Sequence, residues 1–315
     1  MSVRNGRLYC LTSSVSLLLL AGSALAQKDS AAAKPAAMVD GTAITFAEVE
    51  AILKQAPPSP TPLTEAQRRQ MQIDAIAMLI DDILMQNFLS KHGPKVNPAE
   101  VNKRVADLDQ SQKKNHKSLQ DFYKETGQTE TQLRANIATK LQWDAYVQEH
   151  VSEADLKKYY EAYKEFFDRV TVRASHIVLR MAPGASDREI QETKAKLQAL
   201  RQEIVSGKLD FVEAAKKYSQ CVSAKDGGDI GYFPRKLAVD EAFARAAFAL
   251  KVGEISDVVQ SEYGMHLIRL TDRKAGQPSD YAKVKETVRE MCVEDMWQAL
   301  LAQQRKTAHV EINLP

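Results

Sequence analysis

Three residues with reactive side chains stand in settings that mark them out. They are His176 in ASHIVLR, Cys221 in YSQCVSAKDGGDIGYF (218–233) and His266 in YGMHLIRL. Two imidazoles and a thiol permit three readings. A thiolate activated by an imidazole attacks acyl groups, as in a cysteine hydrolase. The same side chains can ligate a transition metal. Histidines on strands also serve as polar packing with no reaction at all. No CxxC or HExxH pattern accompanies them. Cys221 and Cys292 fall in segments assigned to different domains, so a disulfide between them is not expected.

The elements that must position these residues follow from periodicity and caps. Val170, Val172, Ala174, His176 and Val178 alternate with a second set, which predicts a strand with His176 on the valine face. Ser186 with Glu189 caps a long helix stopped by Gly207, and Asp210 with Glu213 caps a short one ending near Ser219. The stretch 218–233 reads as an irregular glycine segment. Asp240 caps a helix through Phe243, Ala247 and Leu250. Strands are expected at 255–260 and 265–271, the latter with His266, Ile268 and Leu270 on one face. This order describes an α+β domain, an antiparallel sheet covered by helices, with both histidines on its strands.

The N-terminal half is of another kind. Met38 to Ile44 reads as a hairpin around Asp40-Gly41. Residues 45–167 are almost entirely helical, with caps at Thr45, Thr64, Asn97, Ser118, Thr129 and Ser152. The aromatic face from Tyr159 to Phe167 reads either as packing or as a surface for unfolded chains. After Gly276-Gln277-Pro278 a long helix runs from Ser279 to about Thr307, then a β-like HVEIN. This tail is too short for a third domain and is expected to fold back on the N-terminal helices, its strand beside the hairpin.

Arg4 and Arg7, an apolar run and Ala24-Leu25-Ala26 form the pattern of a cleaved signal peptide over 1–26, with an uncleaved membrane anchor as the other reading. Residues 27–37 read as a flexible linker. Without residues 1–26, which hold two arginines and no acidic residue, the formal charge falls from +2 to zero. A neutral chain argues against a nucleic-acid partner reached by bulk electrostatics and predicts no strong pull to anionic membranes.

The motifs HIVL, GGDIG, FALKVGEIS and GMHLI, in this order over Val170 to Arg273, resemble the parvulin (PpiC-type) peptidyl-prolyl cis-trans isomerases. The whole layout resembles secreted bacterial chaperone-isomerases of the SurA and PrsA kinds. The resemblance implies a parvulin, FKBP-like antiparallel sheet over 168–275. It also implies an all-α chaperone-like region from 38–167, with the helix and strand of 276–315 packed on it.

Residue by residue, the resemblance makes His176, Cys221 and His266 the catalytic cluster. Ile230, Leu237, Phe243 and Ser223 become substrate-binding, with Val239 an alternative to Leu237 because KLAVDEAF is longer than the usual segment. Arg180 lacks the basic neighbours of phosphate-directed members. No cofactor and no metal are implied. The implied partners are unfolded or nascent secreted polypeptides containing proline, met in the periplasm. The alternative function is an ATP-independent holdase with a weak isomerase domain.

Overall fold

The computed structural model describes residues 34–56, 59, 61–182 and 184–313. The signal peptide and most of the linker lie outside the described residues. The chain divides into two compact units: Ala154–Val288, and the described residues up to Glu153 together with those from Arg289 onward.

The discontinuous unit opens with β1 (Ala37–Val39) and β2 (Thr42–Ile44). Asp40 and Gly41, with φ of 47° and 85°, make the tight turn between them, a conformation that suits Asp-Gly. Five helices follow: α1 (Phe46–Gln55), α2 (Glu65–His92), α3 (Pro98–Lys114), α4 (Leu119–Thr126) and α5 (Glu130–His150). Full capping boxes start α1, α2, α4 and α5, at Thr45, Thr64, Ser118 and Thr129. Asn97 caps α3, and Pro98 takes its first position, where a missing N–H costs nothing. The core gathers around α2, where Leu79, Met85 and Leu89 are fully buried.

The second unit begins with α6 (Glu153–Ala162) and α7 (Lys164–Phe167), where the sequence predicts one aromatic-rich helix. Then come β3 (Thr171–Leu179), α8 (Asp187–Val205), α9 (Phe211–Tyr218), a 3-10 turn over Val222–Asp226, and β4 (Asp229–Pro234). The unit is completed by α10 (Glu241–Ala249), β5 (Val259–Ser261) and β6 (Gly264–Lys274). The sheet is antiparallel in the order β4-β3-β6-β5.

The strand alternation splits its side chains between two apolar layers. Val172, Ala174, Ile268 and Leu270 face Phe243, Ala247 and Phe248 of α10. Ile177, Met265 and Leu267 face Leu197 and Ile204 of α8 and Phe211, Ala214 and Ala215 of α9. The central strands are therefore covered on both sides.

Two expectations need correction. The glycine stretch is irregular only as far as Gly228; Asp229–Pro234 pairs with β3 as a fourth strand. Its alternation is hidden in sequence by Gly231. The strand expected over 255–260 is reduced to a single bridge, Ile255 with Arg269, and the short β5. Arg201 on α8 explains the gap, because its Nε donates to the Ser256 carbonyl (2.8 Å), so that carbonyl serves α8.

Last come α11 (Tyr281–Thr307) and β7 (Val310–Ile312). Trp297, Leu300 and Leu301 of α11 pack into the core around α2, and Trp297 meets Trp143 edge to face at 4.8 Å. β7 pairs with β1, giving the sheet order β2-β1-β7. No helix among the described residues is long and apolar enough to cross a membrane.

Candidate active site

His176 and His266 come together because β3 and β6 are neighbours. The register sets Val178 opposite His266 and His176 opposite Ile268. The two histidines are thus diagonal neighbours on one face, within reach of ring contact. Their rings stack at 5.4 Å and 14°, with Nδ1 to Nδ1 at 3.2 Å. Both are buried, 7% and 3% exposed.

A hydroxyl meets each outer nitrogen. Ser223 Oγ is 3.2 Å from His176 Nε2, and Ser261 Oγ is 2.7 Å from His266 Nε2. The Tyr263 backbone N–H donates to Ser261 Oγ at 3.0 Å. The result is one chain of polar contacts, Ser223, His176, His266, Ser261, across the sheet.

Proton counting lets this chain run in either direction, because each outer hydroxyl can donate to its imidazole or accept from it. With Ser223 donating to His176 Nε2, His176 carries its own proton on Nδ1 and donates to His266 Nδ1, and His266 donates from Nε2 to Ser261. With Ser261 as the first donor every contact reverses. Either direction needs both rings neutral, and burial favours that. Loss of hydration pushes the pKa of His176 down to about 4. His266 is also pushed down to about 4, first by burial and then by His176, against a smaller opposing pull from Asp240.

The glycine stretch builds the Ser223 side of this chain. Ser219 Oγ accepts from the Val178 N–H (3.2 Å), and the Gln220 N–H donates to the Val178 carbonyl (2.9 Å), which ties the 3-10 turn to the end of β3. Gly228 then passes flat against His176, whose N–H donates to the Gly228 carbonyl at 2.9 Å. A Cβ on Gly228 would stand 2.2 Å from the His176 carbonyl oxygen, and its φ is +83°. Only glycine fits there. Asp229 is structural: it pairs with Arg173 and accepts from the Gly231 N–H at 3.0 Å.

Phe243 lies over the pair. Its ring meets His176 at 5.5 Å and His266 at 5.4 Å, both at 83°. It is 4% exposed and shares its apolar cluster with Phe233 and the partly buried Ile230, Val239 and Val259. Leu237 does not join them. It is 72% exposed, with a left-handed φ of 71°, and Val239 takes the place in the cluster. Cys221 caps the 3-10 turn, half-buried, and its free thiol makes no hydrogen bond to either imidazole among the described residues. Ser223, expected beside substrate, is engaged with His176 instead.

Sequence reasoning does not find Ser261. A lone serine before a turn carries no signal of its own; only its position three residues from the Gly264 that opens β6 would suggest it.

Comparison with known proteins fits this geometry. Residues 176–272 match the family described as PPIC-type PPIASE domain, and residues 8–147 match the SurA-like N-terminal domain. The chain is 42% identical to the peptidyl-prolyl cis-trans isomerase Pin1 of Malus domestica over 113 residues, 32% of this chain and 93% of that one. This chain belongs to the PpiC-type peptidyl-prolyl isomerases. The PpiC-type isomerase also resembles foldase protein PrsA 2 of Bacillus cereus, 29% identical over 99% of this chain and 94% of the relative. Among solved structures, that of a peptidylprolyl isomerase (PrsA) from Bacillus anthracis is 26% identical, covering 73% of this chain and 96% of that one at a TM-score of 0.45. Sequence kinship therefore covers both units of this PpiC-type isomerase, the sheet unit by the isomerase family and the helical one by SurA and PrsA.

Proposed function

We propose that the chain isomerises X–Pro bonds in unfolded polypeptides at the surface formed by Phe243, Val239 and Ile230 over the neutral His176–His266 pair. The observation that carries this reading is that pair: two imidazoles held at 3.2 Å, each capped on its outer nitrogen by a serine.

The peptide C–N bond resists rotation by roughly 18–20 kcal/mol because it is conjugated. Twisting it removes negative charge from the carbonyl oxygen and localises a lone pair on the prolyl nitrogen. Surroundings that solvate the planar amide less than water does favour the twisted form, and no covalent bond to the substrate is needed. Aromatic and branched apolar side chains supply such surroundings. Neutral imidazoles suit them, since a charge there would restore the polarity the reaction avoids. Directed hydrogen bonds at both ends hold the rings still.

Cys221 belongs at the edge of this surface, as a polar neighbour of the substrate. Covalent attack by its sulfur has no support, because its thiol makes no hydrogen bond to an imidazole among the described residues.

The helical unit is proposed to hold unfolded clients while the sheet unit acts on their prolines; its likeness to the SurA-like N-terminal domain supports this. The pattern at 1–26 supports export, and sequencing the N-terminus of the exported protein should begin at Gln27. The primary test is isomerisation of a proline tetrapeptide by the mature chain. Turnover no faster than the uncatalysed control would end the isomerase reading.

A further inference from the structure

The helices α6 and α7 lie outside residues 176–272, the span that matches the isomerase family. Even so, they grip the segment that leads to Phe243. Two consecutive cations in that segment, Arg235 and Lys236, are 9% and 7% exposed. Buried charges need partners. Arg235 forms a two-pronged pair with Glu241 in the first turn of α10, at 2.7 and 2.9 Å. Its guanidinium also lies 5.3 Å from the ring centre of Tyr163. Lys236 donates to the Tyr159 hydroxyl at 3.0 Å and stands 4.1 Å from the Tyr163 ring centre and 5.3 Å from that of Tyr159. Cations at these distances are drawn to aromatic faces, more strongly when dry.

The grip has a fixed base. Glu165 of α7 pairs with Arg273 of β6, and its carbonyl accepts from the Val170 N–H at 2.8 Å. Tyr160 and Phe167 are buried beneath. The aromatic face of 159–167 therefore serves two purposes. One edge packs inward, and Tyr159 with Tyr163 receives the two cations.

The backbone just past the cations is strained. Leu237 is left-handed without being glycine, and it is too exposed for its own side chain to hold it there. Its neighbours must impose the conformation. Two residues on, Val239 enters the cluster of Phe243.

We infer that Tyr159 and Tyr163, acting through Lys236 and Arg235, are positioning residues that fix residues 237–243 and with them the apolar wall over the histidine pair. This rests on the reading of Phe243 and Val239 as that wall. Activity then depends on two helices outside the matched family span, and a sheet domain cut at residue 170 is a poorer enzyme than the full chain.

The test uses the full chain with Tyr163→Leu, Tyr163→Phe and Lys236→Met, assayed on a proline tetrapeptide at a temperature where circular dichroism shows each fully folded. Imidazole 15N shifts of His176 and His266 are recorded alongside. Tyr163→Leu and Lys236→Met should each lower kcat/KM about tenfold. Tyr163→Phe, which keeps the ring, should stay near wild type, and the imidazole signals should not move. Full activity in both damaging variants would overturn the inference. So would a loss in Tyr163→Phe equal to that in Tyr163→Leu, or imidazole signals that shift in step with the loss. A wild-type chain without turnover would instead refute the isomerase reading itself.

Discussion

Acid should unfold the sheet unit through its histidine pair before it reaches most carboxylates. Both imidazoles have pKa values near 4 in the folded chain, against 6.5 for a free side chain. Between those values the unfolded chain binds protons that the folded chain refuses. Stability is therefore complete above pH 6.5 and falls as the pH drops toward 4. Each imidazole accounts for roughly 3 kcal/mol of that loss at pH 4, so the pair accounts for roughly 6 kcal/mol. Whole domains have only roughly 5–15 kcal/mol. Urea unfolding of wild type and of a His176→Gln, His266→Gln double variant, at intervals from pH 7.5 to 4, isolates the contribution. The wild type should lose several kcal/mol more than the variant across that range. The isomerase rate gives an independent reading: kcat/KM should stay level from pH 8 to about 5.5. A break near pH 6.5, or parallel stability curves for the two proteins, would refute neutral imidazoles as the working state.

Gly228→Ala should destabilise the sheet unit by about 3 kcal/mol or prevent folding, since its Cβ would meet the His176 carbonyl oxygen at 2.2 Å; urea titration measures it. Ser261→Ala strips His266 Nε2 of its 2.7 Å partner and should cost about 1–3 kcal/mol of stability, with a changed imidazole tautomer signal in the 15N spectrum. Cys221→Asp should keep isomerase activity within about tenfold of wild type, because the reaction needs no nucleophile. A loss beyond a hundredfold in the tetrapeptide assay would return the thiol to the mechanism.

Local rules carried much of the fold into view. The caps at Thr45, Thr64, Ser118 and Thr129 depend on residues three apart, so they are complete in the sequence. The alternation around His176 and around His266 assigns each to one face of its own strand for the same reason, while their meeting depends on the long-range register of β3 with β6. β4 was hidden because its pairing with β3 is long-range and Gly231 breaks the pattern. Leu237 and Val239 could not be separated from the sequence alone, since the choice depends on a left-handed turn that buried cations impose from outside. Cys221 looked central because of its reactivity, whereas Ser223 and Ser261 cap the histidines. Hydroxyls two or five residues from a landmark leave no pattern to read.

The pairing of β1 with β7 has a consequence for how the molecule is made. Val39 finds its partner at Val310, across most of the chain. Residues 154–288 form one continuous compact stretch, so their own contacts do not wait on the ends of the chain. The first-made hairpin must wait for the whole of that stretch before its third strand arrives. Closing so long a loop is costly in entropy and slow, and it comes last. This protein, whose work is on other unfinished chains, thus spends part of its own synthesis with an open sheet edge.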